Sequence, residues 1–454
     1  VPSPSVPTSR GVPGPVASGP LNRVIGRKVL LLFVVGDILG AGIYALTGKV
    51  AGEVGGAVWA PFLCAFVLAA LTACAYAELV GKYPRAAGAA LYANRAFRVP
   101  FVTFMVAFAV MMSGITSASA AARAFGGDYL AEFVSVPTLL AAFAFLAVIT
   151  AVNLIGISES VKVNVTLTII EATGLFVIIA IGVSALANGE GDPQRAMQFA
   201  ADQPLWLGLL GGTALAFYAL LGFEDSVNLA EECREPNRDF PIALFGGLAV
   251  TGVIYLSVAF TSTLLVDTDT LAASTGPLLE VVRVAGLQFP PALFALIALL
   301  AVTNTALINM IMASRLVYGM AGERIIPSLF GRVHQARRTP WVAIAFTVTL
   351  AVILVSTGDL SDLADTTVLL LVSVFAVVNV SVLVLRRDSV EHAHFRAPTW
   401  APVAGAVACL VLASPLTGRE ASVYGRAGVL LLIGAALWGV NRLVLTRERA
   451  GSPA

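Results

Sequence analysis

The stretch Gly36-Asp37-Ile38-Leu39-Gly40-Ala41-Gly42-Ile43-Tyr44 lies in the middle of the first long apolar run of the chain. Three glycines and a carboxylate stand where an ordinary membrane-spanning helix carries Leu and Val. Glycine costs about 1 kcal/mol against Ala in a helix interior, and an ionised Asp at mid-bilayer costs roughly 3 kcal/mol on the insertion scale. Such a stretch persists only where the helix is broken or closely packed and faces something polar. Two readings are open. In one, the helix is broken, and its unpaired N–H groups and carbonyls hold an anion and a cation as one wall of a substrate site. In the other, the glycines form a small-residue packing seam between helices.

Composition sets the class. The chain has 454 residues, 58% hydrophobic and 12% charged, with mean hydropathy +0.88. Soluble domains are about a quarter charged, and apolar runs of about 20 residues recur here along most of the length. The chain is therefore an all-α polytopic membrane protein. Twelve spans are expected, near 28–52, 57–80, 99–123, 136–156, 162–187, 205–230, 241–266, 288–320, 340–357, 363–385, 400–416 and 424–445. With both termini cytoplasmic, 22 of the 28 Lys and Arg fall on the inner side, the bias that sets orientation. The Pro-, Ser- and Gly-rich residues 1–24 read as a disordered cytoplasmic tail rather than a signal peptide, and 446–454 as a second tail. Cys64, Cys74, Cys233 and Cys409 lack metal-ligand spacing and are expected as buried thiols without disulfide or zinc. His334, His392 and His394 fall in cytoplasmic loops without the partners a metal site needs. No cofactor is implied.

Span six repeats the oddity of span one. Gly211 to Ser226, GGTALAFYALLGFEDS, is an apolar run interrupted by Gly222, Glu224 and Asp225. Five spans precede it, so spans one and six head two five-helix halves, and an odd number per half makes the halves antiparallel. Residues 25–187 form the first inverted repeat, 205–386 the second, and 400–445 the last two spans. Paired interrupted helices at corresponding positions of inverted halves point to a midplane transport site. A packing seam has no need to recur at that spacing.

The same residues resemble the amino acid/polyamine/organocation (APC) superfamily of permeases, bacterial-type amino acid transporters among them. The matching pieces are Gly36 to Tyr44, then Tyr76-Ala77-Glu78-Leu79 with Tyr83-Pro84 and Gly88 to Tyr92. Next come Phe217 to Glu232 running into Glu235-Pro236-Asn237-Arg238-Asp239-Phe240-Pro241, and last Ser314 to Met320. The resemblance spans residues 25 to 390 and implies a five-plus-five inverted repeat with broken helices one and six (a LeuT-like fold). It implies alternating-access transport of amino acids or related amines. By resemblance, the backbone of Leu39, Gly40, Ala41, Gly42 and Ile43 binds the substrate carboxylate. Tyr218, Ala219, Leu220 and Leu221, with span-one carbonyls, bind its amino group, and Tyr218 is the aromatic gate. Half-helix dipoles favour the same assignment.

One departure bears on coupling. Many relatives carry a lysine in span five whose ammonium stands in for sodium, and here that position is Glu171. Either Glu171 exchanges a proton, since a carboxyl group taken out of water favours its protonated form, or Glu171 and Asp37 join Thr303 and Asn304 around a sodium ion. The sodium set would include Gly36 and Leu39. Glu171 can also be a neutral acid bonded to a neighbouring helix, and Asp37 can instead select a substrate amine. Glu224 is expected to hold the span-six half-helix, while Asp225 faces either a cationic substrate or solvent. Ser113, Gly114, Ser117 and Ser119 of span three, and Asn309 of span eight, either line the pocket or pack helices. Ion pairs between Glu231–Arg238 and the basic loop after span eight are expected to hold an inner gate.

The expected function is import of an amino acid across the plasma membrane, neutral rather than cationic or polyamine, coupled to H+. Sodium symport and exchange are the alternatives, with a non-transporting sensor behind them. The spans hold no nucleophile–base pair, H-E-x-x-H or phosphate loop that an enzyme would need, and a channel would need repeated filters. No nucleic-acid partner is implied, and the oligomeric state is open.

Overall fold

The computed structural model describes residues 25–450 apart from 86–87, 156–160, 202, 231, 286–288, 323–324, 335–336 and 338. The expected tails at 1–24 and 451–454, and Glu231, Arg324 and Arg338 of the expected inner gate, lie outside the described residues. Among these residues the regular structure is helical. In chain order the helices are α1 (Arg27–Ile38), α2 (Ala41–Val54), α3 (Trp59–Lys82), α4 (Gly88–Phe97), α5 (Pro100–Phe125) and α6 (Asp128–Ala131). Then come α7 (Thr138–Ile155), α8 (Val161–Ala187), α9 (Leu205–Ala219), α10 (Pro236–Leu265), α11 (Thr268–Ala273) and α12 (Pro277–Val284). The remainder are α13 (Pro291–Gly322), α14 (Trp341–Thr357), α15 (Leu360–Leu385), α16 (Trp400–Ala413) and α17 (Ala421–Ala450).

Eight of these helices are long and apolar enough to cross a membrane, nine when α1 and α2 count as one bent span. Three shorter apolar helices, α9, α14 and α16, fall where spans six, nine and eleven are expected. Every expected span thus coincides with a helix. The last one runs further than expected, because α17 continues to Ala450 through residues read as a tail. Cys233 and Cys409 are buried, whereas Cys64 and Cys74 are only half-buried.

Between helices in lipid there is little hydrophobic drive, so association rests on close packing of small residues. The α1–α10 contact follows this rule, since a methyl group at Gly247 would lie 2.5 Å from Val34 Cγ1. The pattern of neighbours has an internal regularity. Helix α2 packs on α9, α3 on α10, and α5 on α13. The contacts α1–α10, α5–α15 and α1–α8 are matched by α9–α3, α13–α8 and α9–α15. Exchanging the two groups of five spans therefore returns the principal contacts between them.

The two ends of the expected inner side are tied differently from expectation. Among the described residues, no ion pair joins 232–238 to the basic residues after α13. Instead Arg27 pairs with Asp239 at 2.8 Å, and Ile25 bonds the backbone of Glu232 and Arg234 at 3.0 Å each. A second tie is the buried pair Glu78–Arg386, with Arg386 donating from Nε and Nη2 at 2.8 and 2.7 Å. The same carboxylate accepts from Ala397 N at 2.9 Å. Such a two-pronged, hydrogen-bonded geometry compensates desolvation of the charges. Lys82 donates to the carbonyls of Leu385 and Asp388, and His392 Nε2 lies 2.9 Å from Gly81 O.

Candidate functional site

Span one breaks between Ile38 and Ala41, with the two halves bent by 43°. Leu39 ends α1 by donating to Val35 O, and Gly40 opens α2 in an extended conformation. The first N–H groups of a helix have no partners within it, and here they are handled individually. Thr305 Oγ1 of α13 accepts from Ala41 N at 3.0 Å. On the other side of the break, Tyr255 of α10 donates to Ile38 O at 2.7 Å. Two neighbouring helices thus stabilise the break from outside.

Span six breaks at the same level. Helix α9 stops at Ala219, and Gly222 has φ +117°, a region L side chains rarely adopt. Glu224 Oε2 accepts from Gly222 N at 2.9 Å. The chain then continues as a short 3-10 turn, Asp225–Leu229, rather than a second α-helix.

The two breaks touch backbone to backbone. A methyl group at Gly42 would lie 2.5 Å from Ala219 Cα, and one at Gly222 would collide with the Asp37 carbonyl. Between the breaks and helices α5, α13 and α15 lies a cavity of about 370 Å³, within the size range of small-molecule sites. Its wall takes Gly36, Asp37, Ile38, Gly40, Ala41 and Gly42 from the first break, and Tyr218, Ala219, Leu221, Gly222, Glu224 and Asp225 from the second. Ser113, Gly114 and Ser117 come from α5, and Asn304, Thr305 and Asn309 from α13. The cavity extends along α13 to Arg315 and reaches Gly88–Ala90 and Asn228. The N-terminal end of α2 offers partial positive charge to it, and the C-terminal end of α9 partial negative charge.

Polar side chains connect the wall. Tyr218 OH and Ser117 Oγ are 3.0 Å apart, and Asn309 Nδ2 donates to Thr305 O at 2.9 Å. Ser113 Oγ turns back to Val110 O, so that residue meets the cavity without presenting a strong donor to it. Ser119 is buried outside the wall, bonded to the Ile115 and Ala351 carbonyls. Leu39, Ile43 and Leu220 are buried behind the lining rather than in it.

Glu171 on α8 lies behind the cavity, fully buried. Asn304, which lines the cavity, donates to its Oε1 at 3.1 Å. Glu171 Oε2 has no hydrogen-bond partner among the described residues. The main-chain carbonyl of Glu171 accepts from Tyr44 OH at 2.5 Å, tying α8 to α2. Thr303 stands apart: its hydroxyl bonds Leu299 O on its own helix, and it is absent from the wall. Thr305, which sequence reasoning missed, takes the place beside the break. The available signal was the row Asn304, Ile308, Met312 with Thr305, Asn309, Ala313 at i, i+4 spacing, a single face of α13.

A polytopic helical membrane protein in which two facing helix breaks enclose a solute-sized cavity has the architecture of a solute carrier. Residues 25–433 match the family model described as amino acid permease, and the chain belongs to that family, within the APC superfamily. It is 28% identical over 431 residues to an uncharacterized transporter of Mycobacterium tuberculosis, covering 94% of this chain and 93% of that one. A branched-chain amino acid permease of Bacillus subtilis is 26% identical over 388 residues, covering 81% and 82%. The chloroplastic cationic amino acid transporter 9 of Arabidopsis thaliana is 28% identical over 351 residues, covering 72% and 60%.

Proposed function

We propose that this protein is a secondary active transporter importing a neutral amino acid across the plasma membrane by alternating access, coupled to H+. The observation that carries the reading is the meeting of the two breaks around one cavity. An amino acid carries an anion and a cation two bonds apart. The first-turn N–H groups of α2 that Thr305 leaves open, at Gly40, Gly42 and Ile43, suit its carboxylate, and the carbonyls at the ends of α9 and α1 suit its ammonium. Tyr218 stands over this point as a gate held by Ser117. The cavity also runs past Ile38, Val110, Met111, Ile308 and Leu371, apolar residues that suit a neutral side chain, whereas Asp37, Glu224 and Asp225 on the same wall are the groups that would suit a cationic one or a polyamine.

The twelve helices at the expected positions, and the neighbour pattern that survives exchange of the two five-span groups, support a five-plus-five inverted repeat with two added spans. Shorter spans six, nine and eleven cross with the help of their flanking turns. With the Lys and Arg bias placing both termini in the cytoplasm, the end of the cavity lined by Arg315 and Asn228 is the inner one.

Glu171 serves as the proton carrier. Asn304 has one side on the cavity and its amide on Glu171, so substrate arrival and protonation act on the same hydrogen bond. A sodium site at Gly36, Leu39, Thr303 and Asn304 with Asp37 has less support, because neither Thr303 nor Leu39 lines the cavity on which Gly36, Asp37 and Asn304 lie. The deciding experiment is uptake of pooled labelled amino acids into proteoliposomes under imposed pH or sodium gradients, wild type beside Glu171→Gln. Accumulation driven by a pH gradient and lost in the variant supports the reading. Sodium dependence, or exchange indifferent to both gradients, replaces the coupling scheme, and absence of any uptake overturns transport itself.

A further inference from the structure

Where α5 meets α13, the wall of the central cavity carries a small polar group drawn from three helices: Ser117 of α5, Tyr218 of α9 and Asn309 of α13. Asn309 lies one helical turn beyond Thr305, the residue that accepts from Ala41 N. Four residues of helix amount to about 6 Å of rise. A molecule whose carboxylate rests on the first turn of α2 therefore has Asn309 within reach of a short side chain. The residue facing Asn309 from α5 is Gly114, where a methyl group would lie 3.3 Å from Asn309 Oδ1. The missing side chain keeps that oxygen uncovered.

Every proton of this group has an acceptor. Asn309 Nδ2 donates to Thr305 O at 2.9 Å and to Ser117 Oγ at 3.4 Å. A main-chain carbonyl only accepts, so the bond to Thr305 O fixes which end of the amide is nitrogen. Tyr218 OH donates to Ser117 O at 3.3 Å, which leaves the Ser117 hydroxyl proton for Tyr218 OH at 3.0 Å. Two neighbouring hydroxyls are committed as well, Ser113 Oγ to Val110 O at 2.7 Å and Thr305 Oγ1 to Ala301 O at 3.2 Å. What remains is Asn309 Oδ1, on a half-buried residue of the wall, with no hydrogen-bond partner among the described residues. This corner of the cavity thus presents an acceptor and no spare donor. An apolar group placed there leaves the amide oxygen unpaired, and a carboxylate is repelled by it. A hydroxyl or an amide N–H completes it.

We infer that the substrate is a neutral amino acid whose side chain, a hydroxyl or a carboxamide, donates a hydrogen bond to Asn309 Oδ1. The inference rests on the transporter reading and narrows it. Among neutral side chains this corner separates Thr from Val and Asn from Leu, pairs of nearly equal shape that differ in the donor. The test is uptake of the twenty labelled L-amino acids, one at a time, into proteoliposomes holding wild type, Asn309→Leu or Gly114→Ala. Wild type is expected to favour Thr over Val, and Asn over Leu, by about three- to tenfold in kcat/KM, the worth of one neutral hydrogen bond. Asn309→Leu removes the acceptor, so both ratios should fall to about one. Gly114→Ala sets a methyl group against the acceptor and should lower both ratios without abolishing them. A defect of folding or insertion lowers uptake of every substrate together and leaves the ratios alone, so the ratios are the readout. Wild-type ratios near one, or reversed, overturn the inference and leave transport standing. So do ratios that neither variant moves, or a preference for Lys and Arg, which would hand selection to Asp37, Glu224 and Asp225. Uptake of none of the twenty overturns the transporter reading itself.

Discussion

The two breaks do the same thing to a membrane helix by different means. In span one, helix resumes at once: α1 ends at Ile38 and α2 starts at Ala41, so the bend exposes an intact helix N-terminus with its dipole. In span six no α-helix resumes; the chain turns through Gly222 at φ +117° and continues as a short 3-10 segment. The first break is held from outside by Thr305 and Tyr255. The second is held from within, by Glu224 accepting from Gly222 N two residues away. The contrast teaches where each charge of a zwitterion belongs. An intact N-terminus concentrates N–H groups on an anion, whereas a helix that simply stops offers carbonyls and little competing positive charge.

Adding bulk where the breaks touch is the harshest way to test this pairing. Gly42→Val forces side-chain atoms into Ala219, whose Cα would lie 2.5 Å from the added Cβ. Saturable uptake should vanish while membrane insertion, judged by surface labelling, stays normal; normal uptake would remove the site from this position. Glu171→Gln comes next. The amide keeps the size and a partner for Asn304 but carries no exchangeable acid proton, so gradient-driven accumulation should be lost while exchange across the liposome membrane survives. Gly222→Ala should be chiefly structural, the cost of about 1–3 kcal/mol for a side chain at that φ adding to the collision of the new Cβ with the Asp37 carbonyl oxygen. A lowered thermal midpoint with reduced uptake is expected, and an unchanged midpoint would mean that the turn relaxes without strain.

Much of this comparison was legible in the sequence because it rests on local chemistry. Gly36 to Tyr44 and Gly211 to Ser226 announce their breaks through residues a bilayer would otherwise exclude. The positions of the long helices followed from apolar run length, and both ends of nearly every expected span fell within a few residues of a helix end, whereas the short helices α4, α6, α11 and α12 were not expected. What escaped depends on rotation and distance in space. Residues 303 and 305 lie about 200° apart around a helix, so a Thr-Asn-Thr run does not say which hydroxyl meets the site. The Glu78–Arg386 tie joins residues more than three hundred positions apart, and no local pattern pairs them. The loss of helix after Gly222 was equally hidden, because Glu224 and Asp225 are compatible with the first turn of a new helix.

The smallest effect belongs to the hydroxyl that separates these two threonines. Thr305→Val keeps the branched shape against Gly40, where a methyl would meet Thr305 Oγ1 at 2.8 Å, but removes the acceptor for Ala41 N. The freed N–H faces a cavity that water or substrate can enter, so the net change is that of one ordinary hydrogen bond, about 0.5–1.5 kcal/mol. Uptake kinetics should show KM raised a few-fold with little change in maximal rate, since the first break would lose definition without losing its dipole. Thr303→Val, whose hydroxyl serves only Leu299 O, should leave KM and sodium response alike unaltered. If instead Thr303→Val is the damaging change and Thr305→Val is silent, α13 presents its other face to the first break, and the sodium arrangement returns in place of the proton one.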